Sequence, residues 1–424
     1  MGAFFKKLHL VFTDATVLKK VGFVIFALAL FRVLAAIPIP GVDAVRLEEF
    51  FSGNQLFGFL NIFSGGGLSG LSIVMLGVAP YITASIIMQL LTFVFPSLKA
   101  MSQEEGEIGR KKFAQYSRLL TVPLALVQGF SFLFLLEKQG VVHSLSSLDF
   151  GVNLLLIIAG SMLLMWIGEL VTEFGVGNGV SIIIFAGIVA RLPQFISQLS
   201  FSFDPSQIPL FVLLGIVALI VTYGVVAVTE AERPIPVSYA KAARGTRGLA
   251  GVATYVPLRL NQAGVIPIIF ALSILLFPQL ILNFASQQSA LPWLADIAHT
   301  LLALPGGALF YGAFYFVLVF AFTFFYTAVT FDPNQMAGNL QKGGAFIPGV
   351  RPGTQTSEYI ARVVTRITLI GAIFLGVVAV LPLIIQNLTG FTSLAIGGTA
   401  LLIVVSVVLD IVRKVDAQVS LREY

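Results

Sequence analysis

The side chains that could perform acid–base, metal or thiol chemistry are scattered in this chain. It has no cysteine, and His9, His143 and His299 do not have the spacing of a metal site. A proton relay or an ion-coupled transporter normally needs Asp, Glu, His or Arg at membrane depth. The sequence therefore predicts no catalytic residue, no metal site and no cofactor.

The charged residues nearest the apolar stretches lie at the ends of those stretches. Arg32 and Arg191 fall near outer ends, where long side chains can reach water. Glu169, Glu173 and Glu230 fall near inner ends. Branched aliphatic residues occupy the middle, and such side chains can close on one another and exclude water and ions. For any single residue, a lipid-facing or core position is the simpler interpretation.

The composition is that of a membrane protein. The chain of 424 residues is 57% hydrophobic and 11% charged, whereas a soluble domain carries about 25% charge. A span needs about 20 apolar residues. The hydropathy pattern predicts ten spans, near 21–37, 73–95, 117–136, 152–173, 180–200, 208–229, 263–284, 306–330, 365–386 and 391–412.

Lysine and arginine are distributed unequally between the connections. With the N-terminus inside the cell, 21 of the 25 Lys and Arg residues fall in cytoplasmic segments. The positive-inside rule then places both termini in the cytoplasm. The formal net charge of +5 is concentrated on that face, which favours contact with anionic lipids or an anionic partner.

Ten spans are also consistent with an internal repeat of five. The motif GVAP at 77–80 opens the second span, and GVIP at 264–267 opens the seventh. An odd number of spans per half forces the halves, 1–200 and 201–424, into opposite topologies. The predicted fold is an all-α polytopic membrane protein with ten transmembrane helices in two inverted halves.

A glycine-rich stretch precedes the second span and is too short to cross a bilayer. A semi-polar element tethered there must lie inside the protein or in a water-filled cavity. We interpret it as a stopper, or plug; an ordinary external loop is the alternative. The predicted plug consists of Asn61, Ile62, Phe63, Ser64, Gly65, Gly66, Gly67, Leu68, Ser69, Gly70 and Leu71.

Two cytoplasmic connections, 230–261 and 331–362, are longer than a structureless connection usually is. Both are predicted to be hairpin-like projections with exposed arginines, able to dock on RNA phosphate or an acidic protein surface. Contact with lipid headgroups is the alternative. The stretch 338–344 resembles a nucleotide-binding loop, but Gly344 stands where the lysine should be, so we reject a nucleotide site.

Five collinear motifs identify the family: NIFSGGGLSGLSI, GVAPYITASIIMQLLT, EFGVGNGVSIIIFAGIVARLP, AGVIPIIFALSILLFP and GGAFIPGVRPGTQT. In this order they resemble the bacterial SecY family, the central subunits of the Sec protein-conducting translocon, over essentially the whole chain. The chain departs from the usual pattern at Pro234 and Thr246, where that family commonly has arginine. These departures put the strength of partner contacts at the first long connection in doubt.

The resemblance implies roles for particular residues. The short plug helix blocks a central hourglass pore, and spans two and seven form a lateral gate. The implied pore ring consists of Val78, Ile82, Val180, Ile184, Ile269 and Ile403, the polar gate residues are Gln89, Gln128 and Asn261, and the docking residues are Arg247 and Arg351.

The same resemblance implies location and partners. The protein is expected in the bacterial inner (plasma) membrane, as a multi-pass channel without enzymatic activity of its own. The expected partners are the SecE and SecG subunits, the SecA motor ATPase, the ribosome, signal peptides, nascent chains and anionic lipids. A secondary transporter for a small solute is the rival hypothesis, and a membrane scaffold the third. The transporter hypothesis requires a polar pocket at the middle of the membrane. The scaffold hypothesis gives the predicted plug no role.

Overall fold

The computed structural model describes residues 15–41, 64–138 apart from 65 and 69, 140–142, 146–190, 193, 208–239, 254–275, 307–389 and 392–420. This part of the chain is mainly helical. Its described residues form two compact units: unit 1 comprises those within Met1–Leu213, Ser273–Pro305 and Phe391–Tyr424, and unit 2 those within Leu214–Leu272 and Gly306–Gly390. The expected halves, 1–200 and 201–424, stay a prediction.

The elements follow in chain order. The first six described helices are α1 (Ala15–Ala35), α2 (Ala79–Val94), α3 (Pro96–Gln103), α4 (Gly106–Lys138), α5 (Ser147–Phe174) and α6 (Gly179–Val189). They are followed by α7 (Ile208–Glu230), β1 (Glu232–Tyr239), β2 (Thr254–Arg259), α8 (Ile266–Leu275), α9 (Gly307–Thr330), α10 (Pro333–Lys342), β3 (Ala345–Phe346), α11 (Thr354–Thr389) and α12 (Thr392–Ser420).

Several described helices have the length and composition of membrane spans. Four helical stretches are long and apolar enough to cross a membrane: Gly106–Lys138, Ser147–Phe174, Tyr311–Lys342, which combines α9 and α10, and Thr354–Ile385. The pair α2 and α3 passes only if both are counted as one span. Each of the ten expected spans overlaps a described helix, but the count of ten complete spans stays a prediction.

The second expected span begins later than its hydropathy suggests. Residues 73–78 form turns, and α2 begins only at Ala79. Gly77 has φ 59°, a left-handed conformation that favours glycine, and Pro80 lies in the first turn, where proline is well tolerated. At its other end α2 ends at Val94, because Pro96 removes a backbone donor and disfavours helix at Phe95, the residue before it. The chain bends by 118° between α2 and α3.

Unit 1 packs around α5. Gly168 on α5 and Gly179 at the start of α6 lie so close that a Cβ at Gly179 would overlap the carbonyl oxygen of Gly168. The turn between these helices is capped twice, since Thr172 Oγ1 accepts from Gly179 N at 2.9 Å and Asn178 Oδ1 accepts from Ser181 N at 3.2 Å. Small residues therefore set the spacing of α5 and α6.

Unit 2 contains a three-stranded antiparallel sheet in the order β2-β1-β3. The pairing of Glu232 with Arg259 begins the register of β1 and β2, so the hairpin predicted for 230–261 is confirmed for its described residues. The hairpin predicted for 331–362 is wrong. Asp332 caps α10 there by accepting from Asn334 N at 2.8 Å, and a two-residue strand follows.

A hydrophobic cluster joins the sheet of unit 2 to the first turns of α11. Its buried members are Ile235, Val237, Leu258, Ala345, Ile347, Ile360, Val363, Val364 and Ile367. Further along, Gly376 on α11 leaves room for the ring of Phe316 on α9, since a Cβ there would lie 2.6 Å from that ring. The described residues of the two long connections therefore form one packed body with α11.

Candidate functional site

The described residues of the predicted plug are Ser64, Gly66–Leu68, Gly70 and Leu71; the others lie outside the described residues. They form hydrogen-bonded turns, which differ from the short helix that was expected. Ser64 Oγ accepts from Leu68 N at 3.0 Å, and Leu68 O accepts from Leu71 N at 3.0 Å. Such local bonds satisfy backbone groups that lipid would leave unpaired.

Leu71 has an unusual backbone conformation. Its φ is 40°, in the left-handed region that residues with a Cβ rarely adopt, and its side chain is fully buried. That side chain belongs to a hydrophobic cluster with Leu68, Met75, Phe132 and Leu136. The burial holds the backbone in a conformation that an exposed leucine would leave.

A short antiparallel pair brings the end of the plug segment to the residues that follow α1. Ile39 N donates to Leu71 O at 2.8 Å, and Ile73 N donates to Ile37 O at 2.9 Å. Pro38 lies opposite Ser72 in a position that exchanges no hydrogen bonds, so the missing N–H of proline costs nothing here. We call residues 37–39 and 71–73 the neck.

Two polar side chains of α5 hold the chain on either side of the neck. Asn153 Nδ2 donates to Pro40 O at 3.2 Å, and Ser161 Oγ donates to Gly77 O at 2.9 Å. Both donors are buried, with 1% and 0% of their surface exposed. Sequence reasoning missed them, although a polar residue inside an apolar span is a signal of a specific partner.

Gly160 lies between these two donors in space and along α5. A Cβ at this glycine would overlap the carbonyl oxygen of Ile73. The backbone of the neck therefore rests directly on the backbone of α5. Together Asn153, Gly160 and Ser161 form a rigid support, because each fixes main-chain atoms.

Five of the six predicted ring residues are buried. The exposed fraction is 0% for Val78, 8% for Ile82, 1% for Ile184, 7% for Ile269 and 1% for Ile403, whereas Val180 is half-buried. In unit 1, the side chain of Val180 lies next to Gly168 of α5, and α6 packs against α12. The meeting of all six at one constriction stays a prediction.

The polar residues assigned to the lateral gate are partly or fully buried. Gln89 and Gln128 are half-buried, and Asn261 is 7% exposed. Asn261 Nδ2 donates to Gly264 O at 3.3 Å. The buried oxygens Gln89 Oε1 and Asn261 Oδ1 accept no hydrogen bond from the described residues, and neither does Gln262 Oε1, which sequence reasoning missed.

Of the two predicted docking residues, Arg351 is described and Arg247 lies outside the described residues. Arg351 is exposed, and its carbonyl oxygen accepts from Thr356 Oγ1 at 2.8 Å. Gly349 and Gly353 flank it with φ of 82° and 101°. The turn that presents this guanidinium is therefore fixed at both ends, beside the cluster that joins the sheet to α11.

An ion pair in the described residues joins α4 to α5. Arg118 Nε on α4 lies 2.7 Å from Glu169 Oε1 on α5. Among the described residues, no three His, Asp or Glu side chains gather into a group that could hold a metal ion. The described site thus offers apolar surfaces and hydrogen bonds to backbone.

The apolar helices define the class, a helical membrane protein. A sequence model of the SecY family matches residues 72–412. The Protein translocase subunit SecY of Pseudomonas aeruginosa is 43% identical over 409 residues, covering 95% of this chain and 91% of that protein. The Thermus thermophilus subunit of the same name is 43% identical over 417 residues, covering 96% and 93%. The chain belongs to the SecY family.

Solved structures agree in fold. One described as "The structure of a protein conducting channel" aligns with a TM-score of 0.69 at 20% identity, covering 97% of this chain and 94% of that one. The canine Sec61 channel in a ribosome–channel complex aligns with a TM-score of 0.65 at 20% identity, with the same coverage. At this identity the likeness concerns the fold alone.

Proposed function

We propose that this protein is the protein-conducting channel of a Sec translocase, which passes unfolded secretory proteins across the membrane and releases apolar segments into lipid. The observation that carries the proposal is the match to Protein translocase subunit SecY over nearly the whole of both chains. The resemblance of the plug, ring and docking motifs to that family, read from the sequence, adds support.

The pore acts by exclusion in this proposal. Val78, Ile82, Val180, Ile184, Ile269 and Ile403 form a ring of branched aliphatic side chains. Such a ring closes on itself at rest and excludes ions by dewetting. It accommodates many translocating sequences because aliphatic side chains form no specific bonds with them. The burial of five of these residues is compatible with such a seal.

The plug, residues 61–71, closes the external side of the resting pore. Its described residues are packed against α4 through the cluster of Leu68 and Leu71 with Phe132 and Leu136. A translocating chain must displace these residues from that packing. The resting state is therefore stable until a substrate is present.

The second and seventh expected spans form the lateral gate, with Gln89, Gln128 and Asn261 near its seam. Polar contacts between spans contribute only about 0.6 to 2 kcal/mol each, so such a seam can open. Leucine or isoleucine at mid-membrane gains about 0.3 to 0.6 kcal/mol, whereas Asp or Lys costs about 2.5 to 3.5 kcal/mol. Apolar segments consequently leave sideways and polar ones continue through.

The protein has no enzymatic role in this proposal, so a partner supplies the driving force. SecA or the ribosome docks at Arg247 and Arg351, and SecE and SecG complete the complex. The exposure of Arg351 on a fixed turn supports the docking role. The expected setting is the bacterial inner membrane, with ten spans in two inverted halves, both termini in the cytoplasm and anionic lipids at the basic face.

A site-specific cross-link tests this function. A photoreactive amino acid replaces Ile82 in full-length protein in native membranes, and a secretory chain is stalled during export. We expect a covalent adduct with the stalled chain. The matched control carries the same amino acid at Tyr223, whose side chain on α7 is 78% exposed. Absence of the adduct at residue 82, or equal yield at residue 223, would contradict conduction past Ile82.

A further inference from the structure

We propose that the neck stays closed while the channel conducts, that the plug detaches from it at Leu71, and that Asn153 and Ser161 are the positioning residues that hold the neck on α5. This inference rests on the proposed function, because a plug that detaches has meaning only in a conducting channel. It concerns the described residues 64, 66–68, 70–73 and 37–40 and their contacts with α5.

The neck has the contacts of a fixed element. Its two backbone hydrogen bonds, Ile39 N to Leu71 O and Ile73 N to Ile37 O, lie where lipid or packed side chains would leave broken groups unsatisfied. Ile39 is 2% exposed and Leu71 is fully buried. Opening the neck would therefore expose backbone groups to an apolar environment.

The support beneath the neck is equally specific. Asn153 Nδ2 and Ser161 Oγ donate to the carbonyl oxygens of Pro40 and Gly77, which follow the first and the second segment of the neck. Both donors belong to α5, so they hold both chain segments against one rigid rod. Gly160 adds direct backbone contact at Ile73. If the plug moved together with the neck and the start of α2, the contacts of Asn153, Gly160 and Ser161 with these segments would all have to break.

The plug is linked to the neck by hydrogen bonds that can break while the neck itself stays paired. Ser72 N and Ser72 Oγ both donate to Gly67 O, at 2.9 and 3.0 Å. Departure of Gly67 would break these two bonds and leave the neck bonds intact. Between them lies Leu71, whose left-handed backbone is held by its buried side chain. Once Leu68 leaves the shared cluster, that restraint weakens and Leu71 can relax to an ordinary conformation.

Two engineered disulfides that share one cysteine test the proposal. The chain has no native cysteine to interfere. Pro38→Cys with Ser72→Cys locks the neck, because opposed residues in this type of pair have the close side chains that a disulfide needs. Gly67→Cys with Ser72→Cys ties the plug to the neck, since a Cβ at residue 67 would lie 2.9 Å from Ser72 Oγ.

Each full-length variant is placed in vesicles with SecE and SecG, and transport of a secretory precursor driven by SecA and ATP is measured by protection from added protease. We expect the oxidised neck pair to transport at the rate of its reduced form. The oxidised plug-to-neck pair should fall to background and recover with reductant. The reduced forms control for crowding at residue 67, where the carbonyl oxygen of Val74 is also close.

The other outcomes are decisive. If the oxidised neck pair falls to background and recovers with reductant, the neck must open and the proposal is wrong. If both oxidised pairs transport normally, Gly67 never leaves Ser72 and detachment at Leu71 is wrong. If the chain without cysteines transports nothing in the same vesicles, the proposed function itself fails, and this inference fails with it.

A second measurement uses the unmodified chain and does not depend on how a cysteine variant folds. Amide hydrogen exchange with a stalled precursor should leave the amides of Ile39 and Ile73 protected, while those of Leu68 and Leu71 lose protection. Loss of protection at the two neck amides would overturn the proposal. Ser161→Ala should speed exchange at Ile73, and Ser161→Thr, which keeps the hydroxyl, should restore it; equal exchange in all three proteins would remove Ser161 as a positioning residue.

Discussion

The hydroxyl of Ser161, in the middle of α5, donates a 2.9 Å hydrogen bond to the carbonyl oxygen of Gly77, two residues before α2 begins. The two residues are 84 positions apart in the chain. The bond satisfies a carbonyl that the left-handed turn at Gly77 leaves outside any helix. It therefore ties the start of α2 to α5.

Replacing Ser161 with alanine should destabilise the protein and loosen the resting seal. The change leaves the Gly77 carbonyl without its donor, which we expect to cost about 1 kcal/mol. Thermal unfolding in detergent and ion conductance of reconstituted channels measure the two effects. Ser131→Ala is the control, since Ser131 is half-buried and its hydroxyl donates within α4 itself, to Val127 O. Equal effects of the two changes would contradict the role of Ser161.

Gly160→Ala should be more damaging than a helical glycine replacement normally is. The new Cβ would overlap the Ile73 carbonyl, so α5 and the neck must separate, at a cost of about 1 to 3 kcal/mol. Folded yield and melting temperature report this. Gly151→Ala is a matched control on the same helix, because nothing lies within 4 Å of its Cβ position. That control should be neutral or stabilising by up to about 1 kcal/mol; similar losses in both would refute the close contact.

Ile82→Asn should raise the resting ion leak and relax the selectivity for signal sequences. An amide at the ring attracts water where an aliphatic side chain excludes it. Single-channel conductance without substrate is the measurement, and Ile269→Ser should act in the same direction. Ile87→Asn on α2 makes the same change at a half-buried position that is not in the ring. Unchanged conductance in the Ile82 variant, or an equal rise in the Ile87 variant, would remove Ile82 from the seal.

Arg351→Glu should slow transport driven by SecA or the ribosome while the pore stays closed and folded. The substitution reverses the charge of an exposed guanidinium on a turn whose backbone is fixed by other residues. Export kinetics in cells and resting conductance separate the two properties. Arg362→Glu is the control, since Arg362 is also exposed and lies further along α11. Normal export in the Arg351 variant would exclude it from the docking site.

Much of the fold was predictable because its determinants are local. Apolar stretches of sufficient length predict helices, and each expected span overlaps one. The hairpin of β1 and β2 was also predictable. The segment 331–362 was misread because its glycines and prolines suggested turns, whereas the cap at Asp332 starts α10. A capping residue followed by proline was the local signal that sequence reasoning overlooked.

The sequence alone determined the membrane class and the family, because these depend on composition and on motifs read along the chain. Only the tertiary structure decided that Asn153 and Ser161 hold the two sides of the neck, that Gly160 supports Ile73, and that Leu71 is left-handed. A buried donor must find an acceptor, but hydropathy does not state which one. The packing of distant segments against α5 makes that choice.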